Sequence, residues 1–121
     1  MMYKVEAIVR EEMLEDVKAA LKDIKINGLM VSQIMGFGAQ RGYTTFVRGQ
    51  EIDALMKPKI KFEIVVSSEK WRDKVIQTIC DVAHTGGIGD GKIFAYEITN
   101  AVKIRTGATG YDALQYEDDD E

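Results

Sequence analysis

The fold of this chain is decided by the stretch Lys59-Ile60-Lys61-Phe62-Glu63-Ile64-Val65-Val66. Polar and apolar residues alternate along most of it, and β-branched and aromatic residues are frequent, which is typical of a strand. An earlier stretch, Val5-Glu6-Ala7-Ile8-Val9, resembles it. A segment with helical spacing follows each stretch. The chain therefore contains two similar halves, each of which begins with a strand and a helix.

Two sets of apolar residues predict the helices, because each set places its members on one helical face. The first set is Leu14, Val17, Leu21 and Ile24, and the second is Trp71, Val75, Ile79 and Val82. Residues 29–37 and 92–98 have strand character, which gives the order βαβ, a long gap, and βαβ. This order predicts an α+β fold of the ferredoxin-like split βαβ type (βαββαβ), with an antiparallel sheet and both helices on one face.

The second face of such a sheet needs a cover. With 121 residues, the chain is long enough for one domain and too short for two. A one-sided sheet in a domain of this size leaves apolar surface exposed to water. We therefore expect other copies of the chain to pack on that face.

The composition of the chain indicates which kinds of partner it can bind and in which cellular compartment it is expected. The net charge of −4 argues against nucleic acid as the main partner, because duplex binding uses a basic face. Acidic residues fill positions 117–121, so a flexible tail over 113–121 is predicted to follow a domain over 1–112. No signal peptide precedes the first predicted strand, and no apolar run approaches the roughly 20 residues that span a bilayer. The chain is expected to be cytoplasmic.

The single cysteine, Cys80, excludes an intramolecular disulfide and a multi-cysteine metal site. Its neighbours include Ile76, Ile79 and Val82. Free cysteine behaves as a small apolar residue, so Cys80 is expected to be buried.

The long gap between the second and third main strands, residues 38–57, has no sustained period. Loops longer than about 12–15 residues in a compact domain are usually functional or disordered. This one also contains apolar residues, which a solvated loop rarely keeps: Tyr43, Phe46, Val47, Ile52, Leu55 and Met56. It is either a long hairpin whose arms continue the flanking strands or an arm that orders against a partner or ligand, and the two are compatible.

A glycine-rich stretch precedes the last predicted strand: Thr85-Gly86-Gly87-Ile88-Gly89-Asp90-Gly91-Lys92-Ile93-Phe94. Glycine lets the backbone turn sharply and approach a ligand closely. Successive N–H groups in such a loop form an anion-binding concavity, to which the lysine adds positive charge. A second basic element, Lys103-Ile104-Arg105-Thr106-Gly107, follows. The pattern predicts a phosphate site.

Four segments together resemble the PII family of nitrogen-regulatory signal transduction proteins, over about residues 5–107. They are the glycine-rich stretch, the basic element after it, Gly36-Phe37-Gly38-Ala39-Gln40-Arg41-Gly42 and the strand from Pro58 to Val66. A single glycine motif would be weak evidence, whereas four segments in the right order and spacing are strong. In this family the segment corresponding to residues 38–57 is called the T-loop.

The resemblance implies a homotrimer with three ligand sites in the clefts between subunits. ATP and ADP compete for these sites, and 2-oxoglutarate binds beside Mg-ATP. Such a protein is not an enzyme but a sensor. Its T-loop conveys the ligand state to an ammonium transporter, an enzyme or a regulator. A transporter partner would recruit this chain to the membrane.

The resemblance also assigns residues to each ligand. For the nucleotide these are Gly28, Met30, Gly36, Phe37, Gly38, Gln40, Glu63, Val65, Gly86, Ile88, Gly89, Asp90, Gly91, Lys92, Lys103 and Arg105. For 2-oxoglutarate they are Gly38, Gln40, Arg41, Gly42, Lys59 and Gly89. Gln40 would bind Mg²⁺ together with the phosphates of ATP, because this ion prefers oxygen ligands. For the protein partner they are Tyr43, Phe46, Arg48, Glu51 and Ile52.

Three positions depart from the family pattern. Ile52 stands where the family has the tyrosine that is uridylylated, and it has no hydroxyl, so no uridylylation is predicted there. Met30 replaces a threonine that contacts the adenine, and a thioether cannot donate a hydrogen bond. Lys103 replaces an arginine, which keeps the charge but loses the forked donor geometry. Residues 53–57 also differ, so the partner can differ too.

Two alternatives to this sensor stay open. One is a PII-like protein that binds adenine nucleotides but senses another small molecule, such as bicarbonate. The presence of both Gln40 and Lys59 argues against it. The other is a small enzyme on the same fold, such as a nucleotide hydrolase, for which the spacing of residues suggests no catalytic constellation.

Overall fold

The computed structural model describes residues 1–26, 28–37, 44–47, 50–53 and 56–114. The strands and helices are β1 (Met2–Arg10), α1 (Leu14–Asp23), β2 (Leu29–Phe37), β3 (Thr44–Val47), β4 (Gln50–Asp53), β5 (Met56–Val66), α2 (Glu69–Ala83) and β6 (Lys92–Ile98). Short 3₁₀ turns cover Glu11–Met13, Ile88–Asp90 and Gly110–Leu114. No helix in these ranges is long and apolar enough to cross a membrane.

The main sheet has four strands in the order β2-β5-β1-β6, and its neighbouring strands are antiparallel. The stretches that begin the two halves of the sequence, in β5 and β1, form its centre. Ile64 pairs with Val5 of β1 on one side and Leu29 of β2 on the other. This topology confirms the predicted ferredoxin-like βαββαβ fold.

The core lies between the sheet and the two helices. Alternate residues of β1 and β5 are buried, since successive side chains of a strand point to opposite faces. The largest side chain among them that is fully buried is Phe62. Buried residues of the helices join the same cluster: Val17 and Leu21 from α1, Val75, Ile79 and Ala83 from α2. Both helices therefore cover one face, as predicted.

Helix α2 carries the chain from the core to the glycine-rich stretch. The Ser68 hydroxyl accepts a hydrogen bond from the Trp71 amide at 3.2 Å and caps its first turn. The helix ends at Ala83, directly before that stretch. The predicted burial of Cys80 is wrong: Cys80 is exposed, because it follows the buried Ile79 by one position and so lies on another side of the helix.

The other face of the sheet carries a network of four charged side chains at its centre. Lys4 Nζ lies 3.4 Å from Glu6 Oε1 and 3.2 Å from Glu63 Oε1. Lys61 Nζ lies 3.3 Å from the same Glu63 oxygen. Hydrogen bonding to Lys4 and Lys61 lowers the pKa of Glu63, and the bond to Glu63 raises the pKa of Lys4. We call this side of the sheet the open face, since no element among the described residues covers it.

The gap between β2 and β5 contains a hairpin. Strands β3 and β4 are antiparallel and pair from Thr44, opposite Asp53, to Val47, opposite Gln50. The pairing of β2 with β5 continues to Phe37 opposite Met56. Strands β3 and β4 form a two-stranded sheet of their own, and residues 38–43 and 54–55, which would join them to β2 and β5, lie outside the described ranges. A hairpin is therefore present in the gap, whereas the continuation of its arms into the flanking strands stays a prediction.

Candidate functional site

The glycine loop, residues 85–91, lies between the end of α2 and the start of β6. Its second half is a 3₁₀ turn over Ile88–Asp90, in which the Asp90 amide donates to the Gly87 carbonyl at 3.2 Å. Gly89 is buried in this turn, whereas Ile88 is 82% exposed. The loop therefore presents one apolar side chain to solvent and turns its glycine backbone towards the sheet.

Asp90 holds the first half of the loop. Its carboxylate accepts hydrogen bonds from the Thr85 amide at 2.8 Å and the Gly86 amide at 2.9 Å. It also accepts one from the Thr85 hydroxyl and one from Arg10 Nε, the latter at 3.2 Å. The Thr85 hydroxyl and amide, together with the other donors, hold the pKa of the Asp90 carboxyl well below its usual range. Asp90 is thus an ionised anchor within the loop.

Gly91 lets the loop join the sheet. Its backbone, at φ 105° and ψ −165°, is in a region that essentially only glycine occupies. A Cβ added there would lie 1.8 Å from the Ile8 carbonyl oxygen of β1. The loop therefore lies directly on the end of β1, at a distance that excludes any side chain.

Three cations from neighbouring strands surround this junction. Arg10 of β1 lies opposite Lys59 of β5, and Lys92 of β6 lies opposite Ile8 of β1, so all three are on the open face. Lys59 Nζ donates to the Gly89 carbonyl at 2.9 Å. Asp90 balances only one of these charges, so the loop and the strand ends together favour an anion.

A strip of the open face leads away from the loop along the edge strand β2. Met30 and Gly36 are on this face, opposite Glu63 and Lys57 of β5. A Cβ at Gly36 would lie 2.9 Å from Lys59 Cγ, so Gly36 gives the lysine stem room. Met30 and Gly36 are six positions apart, which corresponds to roughly 20 Å of strand. This length suits an extended nucleotide whose phosphates lie near the loop.

The structure places the remaining predicted residues as follows. Gly28 precedes β2, Phe37 ends it, and Val65 lies on the open face of β5. In the β3–β4 hairpin, Phe46 pairs with Glu51, and Ile52 pairs with Thr45. Gly38, Gln40, Arg41, Gly42, Tyr43 and Arg48 lie outside the described residues.

Lys103 and Arg105 belong to a separate turn. The Gly107 amide donates to the Lys103 carbonyl at 2.7 Å, and the Lys103 amide donates to the Ala108 carbonyl at 2.8 Å. This segment follows the end of β6 that is remote from Lys92. It is anchored there, because the Tyr111 hydroxyl accepts a hydrogen bond from the Met1 amine at 2.8 Å. The glycine loop and the basic element are thus tied to opposite ends of the sheet.

Arg10 is the residue at this site that sequence reasoning missed. In the sequence it is a single arginine at the end of a strand, which is most often solvated. Only the register, which sets Arg10 opposite Lys59, shows that it faces the glycine loop. Within the described ranges, no group of His, Cys, Asp and Glu residues could hold a metal ion, and Gln40 lies outside them.

Replacing Gly91 tests the contact between the loop and β1. We expect Gly91→Ala to cost about 3 kcal/mol of unfolding free energy, because it adds backbone strain and a clash with the Ile8 carbonyl. The matched control is Gly110→Ala, since Gly110 also has a positive φ, 62°, but nothing lies within 4 Å of its added Cβ. That variant should cost about 1 kcal/mol. Equal losses in denaturant titrations would contradict this account of the junction.

Replacing Asp90 tests the anchor within the loop. Since the folded-state pKa of this carboxyl is below its ordinary value of 3.8, its ionised form stabilises the folded state above that pH. The contribution is lost as the pH falls below about 4. Asp90→Asn should therefore be less stable than the native chain at pH 7, by a margin that shrinks towards pH 2. Thermal unfolding across this range measures the margin, with the exposed Asp112→Asn as control; a margin independent of pH would refute the prediction.

The chain matches known proteins over most of its length. The sequence profile of the family described as Nitrogen regulatory protein P-II matches residues 2–108. The Nitrogen regulatory protein P-II of Pasteurella multocida (strain Pm70) is 44% identical over 113 residues, which are 93% of this chain and 100% of that protein. The protein of the same description from Rhodobacter capsulatus is 46% identical, with 93% of this chain covered and 100% of that protein.

Two solved structures have a similar fold. Arabidopsis thaliana PII bound to citrate has a TM-score of 0.74 and 39% identity, covering 93% of this chain and 91% of that one. The GlnK-ATP complex of B. subtilis has a TM-score of 0.73 and 38% identity, covering 93% and 97%. Both the sequence and the fold lead to the same conclusion. This chain belongs to the nitrogen regulatory protein P-II family.

Proposed function

We propose that this chain is a sensor of ATP, ADP and 2-oxoglutarate that regulates nitrogen assimilation or ammonium transport through its T-loop. The observation that carries the proposal is the glycine loop, which Gly91 seats on β1 beside the cations Arg10, Lys59 and Lys92. This arrangement suits a polyphosphate, since it combines main-chain N–H groups with an excess of positive charge.

The nucleotide fits the strip that runs from the glycine loop along β2. Its phosphates would lie at the loop, where the glycines offer main-chain N–H groups and Arg10 packs against Gly87 and Gly89. Its base would lie near Met30 and Glu63 at the other end of the strip. The B. subtilis relative was solved as a complex with ATP, which supports this assignment.

A dianion such as 2-oxoglutarate fits beside the phosphates. Lys59 lies at the loop and offers an ammonium group on a flexible stem, which suits a carboxylate. The resemblance adds Gly38, Gln40, Arg41 and Gly42 from the start of the T-loop. The Arabidopsis relative was solved with citrate, another small polycarboxylate. Mg²⁺ would be held by the nucleotide phosphates together with the Gln40 amide oxygen and would neutralise charge between the two anions.

A homotrimer would complete each site. Within one chain, the glycine loop and the Lys103–Arg105 element are tied to opposite ends of the sheet. A neighbouring copy, packed on the open face, could bring its own Lys103 and Arg105 to the glycine loop. The four-charge network at the centre of that face is neutral overall, which lowers the cost of covering it. Ligand binding would then depend on assembly.

The chain would act by binding partners, in the cytoplasm, and not by catalysis. Exposed methionines of β2 and β5 suit contact with other proteins: Met30, Met35 and Met56. Arg48 is the T-loop residue that we assign to the pore of an ammonium transporter, because its length and charge suit a plug. Ile52 would leave the loop without the family's uridylylation site.

Calorimetry tests the two ligands in sequence. We expect the chain to bind ADP and Mg-ATP, and 2-oxoglutarate to bind only when Mg-ATP is present. Lys92→Ala should weaken nucleotide binding about 10- to 100-fold, because it removes a charged donor from the phosphates. The matched control is Lys18→Ala, since Lys18 is an exposed cation on α1 that bonds Glu15.

The outcomes of these titrations separate the alternatives. Gln40→Ala should abolish 2-oxoglutarate binding while nucleotide binding persists. Nucleotide binding without any response to 2-oxoglutarate would reject this effector and favour another, such as bicarbonate. ATP turnover that disappears in Lys92→Ala would instead indicate an enzyme.

A pull-down from membranes of the source cells tests the partner. With ADP bound, the chain should retain an ammonium transporter, and Mg-ATP with 2-oxoglutarate should release it. Arg48→Ala should lose the transporter, whereas Arg72→Ala on α2 should not. If the native chain and Arg48→Ala retained equal amounts of the transporter, the assignment of Arg48 to the transporter pore would be contradicted.

A further inference from the structure

Arg10 and Lys59 are like charges placed directly opposite each other in an antiparallel pair. Such a pair is unfavourable unless each charge has its own acceptor. Here the two acceptors are consecutive residues of the glycine loop: Lys59 donates to the Gly89 carbonyl at 2.9 Å, and Arg10 donates to the Asp90 carboxylate at 3.2 Å. Strands β1 and β5 therefore each contribute one side chain that bonds the same turn of the loop.

The Arg10 guanidinium also lies against the loop backbone. A Cβ added at Gly87 would be 2.7 Å from Nη2 of Arg10. At Gly89 it would be 3.1 Å from Cζ and from both terminal nitrogens. Equal distances to these three atoms mean that the flat face of the guanidinium covers Gly89. Arg10 thus fills the space between the loop and the end of β1.

Asp90 extends this contact to the rest of the loop. The same carboxylate that accepts from Arg10 accepts from the amides of Thr85 and Gly86. The charge-assisted hydrogen bond from Arg10 fixes the orientation of the carboxylate that accepts from those amides. The charge on Arg10 therefore acts on Thr85 and Gly86 through Asp90.

We propose that Arg10 is a positioning residue, which holds the glycine loop in its anion-receiving shape before any ligand binds. It does so through its pairing with Asp90, which places the guanidinium against Gly87 and Gly89. The effect on a ligand rests on the proposed nucleotide site, whereas the effect on the loop does not.

The first experiment uses the ligand-free protein. Amide exchange rates of Thr85 and Gly86 are measured by NMR in the native chain, Arg10→Met, Arg10→Lys and the control Lys18→Met. Arg10→Met keeps much of the apolar stem but loses the charge, and it should speed exchange about fivefold to tenfold. Arg10→Lys should restore part of the protection, and Lys18→Met should change nothing. Exchange of the Phe62 amide in the core strand β5 checks that each variant is folded.

The second experiment combines Arg10→Met with Asp90→Asn. If Arg10 acts through Asp90, the double variant should bind ADP no more weakly than Asp90→Asn alone, although Arg10→Met alone weakens binding about fivefold to tenfold. Additive losses would overturn the proposal, since they would indicate that Arg10 contacts the ligand independently. Unchanged amide exchange in Arg10→Met would overturn it as well. If the native chain binds no ADP, the nucleotide site is rejected, while amide exchange still decides the role of Arg10.

Discussion

The close approach of Gly91 to the Ile8 carbonyl is the constraint on which the site depends. It seats the end of the glycine loop on β1 and thereby sets the distance between the loop backbone and the neighbouring strand ends. At that distance Arg10 and Lys59 reach Asp90 and the Gly89 carbonyl. Any side chain at position 91 would push the loop away from both donors. A steric condition at one residue therefore governs the electrostatics of the whole loop.

The two faces of the sheet have separate tasks. One face packs Phe62 and its neighbours against both helices, so hydrophobic burial stabilises the domain. The open face carries the charges, with the balanced network at its centre and the excess cations at the loop end. Because neighbouring side chains of a strand alternate between faces, the same strands build the core and the charged open face.

Much of the fold was predictable from local pattern. Alternation in β1 and β5 and helical spacing in α1 and α2 are short-range signals, and the structure follows them. The burial of Cys80 was predicted wrongly, because apolar neighbours in the sequence do not determine which side of the helix a residue lies on. Arg10 was missed because its partner Asp90 is 80 positions away. A contact of that kind depends on strand register, which no local pattern contains.

The sequence by itself determined the alternation of strands and helices, the glycine-rich loop and the resemblance to one family. Each of these depends on the identity and spacing of residues that are close together in the chain. Only the tertiary structure decided which cations meet the loop, and that Lys103 and Arg105 are tied to the far end of the sheet. The reason is physical: a strand rises about 3.3 Å per residue, so the register and the direction of β6 determine which charges share an end of the sheet.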